Sequence, residues 1–142
     1  MTALEIKIIE ELRKHVDQLK KYDATCEEIA NEYLRKAEIQ TEKYWKEDFK
    51  RAAEFHLGQK QHEYDFLNNW KNDISKAMYD GRIYHEWHPA QAGRYKGTGH
   101  GAYITSELTE EEKQIVDKVF DGLIKHGYLR ISKSGKMAKM VK

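Results

Sequence analysis

The chain has 142 residues, a formal net charge of +1, and 39% hydrophobic against 35% charged residues. That length allows one domain, or one domain with a helical extension, and the lean apolar content predicts a thin core. Disorder is excluded, because four Phe, three Trp and nine Tyr are spread along the chain and neither charge sign dominates.

No apolar run approaches the roughly 20 residues of a membrane span. The opening MTALEIKIIEELRK lacks a basic stretch followed by an apolar one, so no secretory leader is expected. Cys26 is the single cysteine, which forbids an internal disulfide and fits a reducing, cytoplasmic setting. Charge is unevenly placed. Residues 1–80 hold 14 Lys/Arg against 17 Asp/Glu, residues 81–142 hold 11 against 7, and the last 21 hold six basic residues and no acid. Such asymmetry points to an anionic partner near the C-terminal end.

Between Met1 and Leu57 there is neither glycine nor proline, and a breaker-free stretch rich in Glu, Lys, Leu and Ala is helical. A first helix is expected from Ala3 to Lys21, with Leu4, Ile8, Leu12, Val16 and Leu19 as its apolar stripe. Asp23-Ala24-Thr25 reads as a turn, and Thr25 with Glu28 as a capping box opening a second helix. That helix carries Cys26, Ile29, Ala30, Tyr33, Leu34 and Ala37, then Trp45, Phe49, Ala52, Ala53 and His56. The polar patch Glu38–Lys43 interrupts the stripe and marks a bend or a local exposure. Thirty-odd helical residues would extend about 50 Å, so this helix is expected to project or to pair with another chain, as in a homodimer formed through the long helices. His62, Phe66, Leu67, Trp70, Ile74, Ala77 and Met78 predict a third helix ending at Asp80-Gly81.

Residues 81–105 change character. They hold five of the nine glycines, the one proline and three of the seven histidines. Ala102–Thr105 is expected to be a strand and most of the rest loop. Arg82, Tyr84, Trp87, Arg94, Tyr95, Lys96 and Tyr103 mix cations with flat rings, a mixture that suits stacking on unpaired bases or anchoring a protein interface. Gly97–Gly101 lacks a following Gly-Lys-Ser/Thr and an adjoining helix, so it is not expected to cradle a nucleotide. His85, His88 and His100 match no zinc spacing, and no metal or cofactor is expected.

Thr109 and Glu112 form a second capping box, with three glutamates at the positive end of the helix that follows. Ile115, Val116, Val119, Phe120, Leu123 and Ile124 make its inner face, and Gly127 sits just past its end. Tyr128–Ser132 and Met137–Val141 then form a hairpin across Lys133-Ser134-Gly135-Lys136. The implied register pairs Leu129 with Met140, Arg130 with Lys139, Ile131 with Ala138 and Ser132 with Met137. It sets Arg130 beside Lys139 on the outer face and Lys133 beside Lys136 at the tip. Like charges so placed are mutually destabilising unless an anion lies between them. Edge protection by lysine is the competing explanation.

The stretch LIKHGYLRISKSGKMAKMV resembles the wing of a winged-helix domain. The resemblance covers about 30 residues, and the hairpin would be the wing. A full winged helix has two helices between its first strand and the wing. Here Tyr103-Ile104-Thr105 leads almost directly into a single helix, so the expected unit is β-α-β-β.

The expected architecture is mainly α: a helical region over 1–80, a Gly/His/aromatic loop region over 81–105, and a helix with a basic, winged-helix-like hairpin over 106–142. The expected function is non-enzymatic binding of DNA or RNA, or regulation, through Arg82, Trp87, Arg94, Tyr95, Lys96, Arg130, Lys133, Lys136 and Lys139. The alternative is a protein-binding module, an inhibitor or adaptor that blocks the groove of a nucleic-acid-binding protein.

Overall fold

A computed structural model describes residues 1–85 and 106–142. Among these the chain is mainly helical, with four helices and one small antiparallel sheet. The order is α1 (Ala3–Ile39), α2 (Lys43–Gly58), β1 (Tyr64–Phe66), α3 (Leu67–Met78), α4 (Glu110–Lys125), β2 (Leu129–Ile131) and β3 (Met137–Met140). The expected strand at Ala102–Thr105 lies outside the described residues. No helix among the described residues is long and apolar enough to cross a membrane.

The chain divides into two compact units, one of Met1–His15 with Tyr64–Lys142 and one of Val16–Glu63. In the second unit, the rest of α1 and α2 form an antiparallel helical hairpin. Tyr33 stacks on Phe49 and His56, Lys60 bonds Glu27, and the Asp23 carboxylate accepts the backbone N–H groups of Gln61 and His62. Leu19, Cys26, Ala30, Ala37 and Ala53 are buried.

The expected turn at Asp23–Thr25 is not there. Helix α1 runs through it, and the Thr25 hydroxyl donates to the Lys21 carbonyl one turn back instead of capping a new helix. The reason is phase: Leu19, Cys26 and Ala30 are spaced seven and four apart, so the buried stripe crosses residues 23–25 unbroken. The helix ends instead inside the polar patch, between Ile39 and Lys43.

The first unit is built around the sheet, whose order is β1-β3-β2. Its inner face and α3, α4 and the start of α1 enclose Leu12, Trp70, Ile74, Ser75, Val116 and Leu129, all essentially inaccessible. The Trp70 indole donates to the Ala138 carbonyl at 2.8 Å, tying α3 to the central strand. Strand β1 corrects the expectation of a helix from His62. Tyr64, Asp65 and Phe66 pair with Lys139, Ala138 and Met137, and Phe66 is exposed, not on a buried stripe. Helix α3 therefore starts at Leu67, whose N–H bonds the Lys136 carbonyl.

Helix α4 begins as expected: Thr109 accepts from the Glu112 N–H, and the Glu112 carboxylate accepts from the Thr109 N–H. It ends in a Schellman motif, with the Gly127 N–H on the Ile124 carbonyl and the Tyr128 N–H on the Leu123 carbonyl. Gly127 has φ +79°, a backbone glycine adopts without cost. Val116 and Phe120 are buried on this helix, while Ile115 is exposed.

Candidate nucleic-acid interface

The hairpin takes the expected register: Leu129 pairs with Met140, Arg130 with Lys139 and Ile131 with Ala138, and the Ser132 N–H bonds the Met137 carbonyl. Alternation along each strand then sorts the side chains. Leu129, Ala138 and Met140 face the core and are buried. Ile131, on the same side but beyond the helix cover, is exposed.

The opposite face gathers residues from all three strands. Tyr64 and Arg130 both pair with Lys139, so the three form one cross-strand row. Phe66 pairs with Met137 one step along. The Lys139 ammonium lies 5.7 Å from the Tyr64 ring centroid, near enough for a cation–π contact. Phe66 is 58% exposed. Lys133 and Lys136 flank the turn, where Gly135 takes φ +74° and the Ser132 and Ser134 hydroxyls bond each other at 2.9 Å. Among the described residues, no carboxylate forms an ion pair with Arg130, Lys133, Lys136 or Lys139. Tyr64, Phe66, Arg130 and Lys139 thus share the outer face, Lys133 and Lys136 stand at the adjoining turn, and among the described residues none of the four cations is paired with an acid.

Arg82 stands elsewhere and is engaged. Its guanidinium forms a fork on the Glu112 carboxylate at 2.6 and 2.8 Å and also donates to the Glu107 carbonyl. The Arg82 guanidinium, with the Thr109 N–H, holds the Glu112 carboxyl below its ordinary range. The Ile83 carbonyl accepts the Leu108 N–H beside this pair. Trp87, Arg94, Tyr95 and Lys96, with His88 and His100, lie outside the described residues. Among the described residues, no cluster of three His, Cys, Asp or Glu could hold a metal.

A second cluster was not anticipated. His15 lies between two carboxylates: Nε2 donates to Asp65 Oδ2 at 2.7 Å, and Nδ1 is 2.7 Å from Asp73 Oδ2. The ring also packs on Trp70, with centroids 4.5 Å apart. Burial alone would lower the imidazolium pKa, but the hydrogen bonds and charges of Asp65 and Asp73 outweigh it and raise the value from 6.5 to about 9. For Asp65, burial pushes the carboxyl up, and His15, the Phe66 N–H and Asn69 more than reverse it. This cluster joins α1, β1 and α3 behind the sheet, so it fixes the strand that carries Tyr64 and Phe66.

Two side chains of this outer face escaped the sequence reading as candidates, Tyr64 and Phe66. The only signal was the loose alternation of Tyr64-Asp65-Phe66, too short to distinguish from a helix start. No family model matches the chain, and no curated protein or solved structure gives a match.

Proposed function

We propose that this protein binds nucleic acid, without catalysis, through the outer face of its sheet and the tip of its hairpin. The observation that carries the reading is the row Tyr64–Lys139–Arg130, in which two cations stand side by side and, among the described residues, neither is ion-paired with a carboxylate. Phosphate oxygens would relieve that repulsion, and Lys133 and Lys136 extend the same positive surface. Edge protection explains a lysine on an outer strand, but Lys139 belongs to the central strand.

The element order lends support to a winged-helix-like architecture. With the first strand at Tyr64–Phe66, two helices, α3 and α4, come before the hairpin, as a full winged helix requires. On this reading residues between the start of α1 and β1 are an insertion. The hairpin is then the wing, and it carries the contact.

The test is fluorescence anisotropy with labelled oligonucleotides at 50 and 200 mM salt. Four phosphate contacts predict a loss of affinity on the order of a hundredfold across that range. A variant with Lys133, Lys136 and Lys139 changed to Glu should lose binding. Unaltered binding by that variant would remove the hairpin from the contact.

A protein-binding role is the second reading, and the helical hairpin favours it. Ile39, Tyr44 and Trp45, at and beside its turn, are 83%, 64% and 48% exposed. Such a cluster suits an inhibitor or adaptor that docks on another protein. Absence of binding to any nucleic acid at low salt, with the chain folded, would promote it.

A further inference from the structure

We infer that the outer sheet face is a stacking platform for single-stranded DNA, with Phe66 and Tyr64 receiving bases and Arg130 and Lys139 receiving phosphates. This rests on the nucleic-acid reading above and specifies its ligand. Three features of the molecule lead to it.

The first is the placement of the rings. Phe66 and Tyr64 are alternate residues of β1, on the same face and about 7 Å apart along the strand. Each is directly across from a β3 residue: Met137 lies about 5 Å to the side of Phe66, and the Lys139 ammonium stands over the Tyr64 ring, 5.7 Å from its centroid. An exposed Phe on a sheet is an unfavourable use of a ring unless something covers it, and a base is a flat apolar surface of matching size. In a duplex the base faces are stacked on one another and unavailable, whereas in a single strand they are free. Cations beside rings, not cations alone, are what distinguish single-strand surfaces.

The second feature is the exposed first turn of α4. A helix that reads a duplex puts its N-terminal residues against the base edges in the major groove. Here those residues are Glu110, Glu111 and Glu112, and Glu110 has 86% of its side chain exposed. Carboxylates at the entering end would meet the phosphate walls of the groove and be repelled. The helix best placed in sequence for duplex reading is therefore unsuited to it, which leaves the sheet.

The third is the shortage of neutral polar groups. Neither Tyr64–Phe66 nor Leu129–Met140 contains Asn, Gln or Thr. The two hydroxyls of the turn, Ser132 and Ser134, are bonded to each other. The 2′-OH is what allows a protein to prefer RNA at a given site, and aliphatic hydroxyl or amide side chains to recognise it are missing from these strands. The platform offers π-faces and positive charge, which suffice for single-stranded DNA, and nothing in these strands that would favour RNA over it.

The experiment titrates the full chain with a labelled oligo-dT, an oligo-U of equal length and a mixed-sequence duplex, at low salt, with Phe66→Ala, Phe66→Leu and Phe66→Trp. The expected result is tighter binding of oligo-dT than of the duplex, with no preference for oligo-U over oligo-dT. Phe66→Ala and Phe66→Leu should each weaken oligo-dT binding at least about fivefold, and Phe66→Trp should keep or tighten it. Leu preserves bulk and hydrophobicity, so loss in that variant reports the ring and not the fold.

Tighter binding of the duplex, or oligo-dT affinity unmoved by Phe66→Ala and Phe66→Leu, would overturn the platform. If the triple glutamate variant still lost binding in that case, nucleic-acid binding by the hairpin would stand without it. Tighter binding of oligo-U would overturn the assignment to DNA. No binding to any of the three would overturn the nucleic-acid reading itself.

Discussion

Changing His15 to Gln removes the one cation between Asp65 and Asp73, and the structure sets the size and pH dependence of the loss. The imidazolium titrates at about 9 in the folded chain and 6.5 when unperturbed. That separation corresponds to roughly 3 kcal/mol of stability. The sign follows from the direction: the folded chain holds the proton more tightly, so the full contribution is present below pH 6.5. It declines as pH rises and is gone above about pH 9. Asp65 works the other way. Its lowered pKa contributes stability above the ordinary carboxylate value, lost as pH falls through the folded one. The two describe one interaction and do not add.

Urea denaturation of the parent at pH 6 and pH 9.5 should therefore differ by roughly 3 kcal/mol through this cluster. In His15→Gln the two carboxylates confront each other with no charge between them, costing about 3–5 kcal/mol at pH 6. The variant's stability should change far less between the two pH values. The informative quantity is the difference between the two profiles, which cancels the other titrating groups. Parallel profiles for parent and variant would refute the account, because they would mean that His15 carries no extra proton in the folded chain.

Two further substitutions examine the scaffold. Gly127→Ala meets no atom within 4 Å, so its cost is conformational alone, about 1 kcal/mol, and should lower Tm by roughly 4 °C in a calorimetric scan. Trp70→Phe deletes the bond to the Ala138 carbonyl and part of a fully buried ring, which should cost about 2–4 kcal/mol by urea denaturation. Since Trp70 packs on His15, the double variant with His15→Gln should depart from additivity.

What could be read in the sequence is what neighbours along the chain determine. The register of Leu129–Met140 follows from a four-residue connection and from the need to bury one face of the hairpin. The cap at Thr109 and Glu112 needs only three residues of separation. Thr25 and Glu28 offer the same local pattern, but buried residues on either side of them keep helical phase, and packing prevailed over the cap. Strand β1 is illegible because its partner lies 73 residues away and its own three residues have no distinctive period. His15 left a trace, as a polar side chain three residues after Leu12 on the buried stripe of α1. Its two acids, 50 and 58 positions further on, left none. The outer face of the sheet therefore appeared from sequence as cations without rings.

The place of β3 has a consequence for how the chain acquires its structure. It is the middle strand of the sheet and the last of the three strands in chain order. Neither outer strand has a partner until Met137–Met140 arrives. At a synthesis rate of about 5–20 residues per second, β1 waits roughly 4–15 seconds for its hydrogen bonds. During that interval Tyr64 and Phe66 belong to an unpaired segment, and the Asp65 that will meet His15 has no strand to hold it. Closing the sheet thus waits for its third strand, and removing Met137–Met140 would take the shared partner from both outer strands.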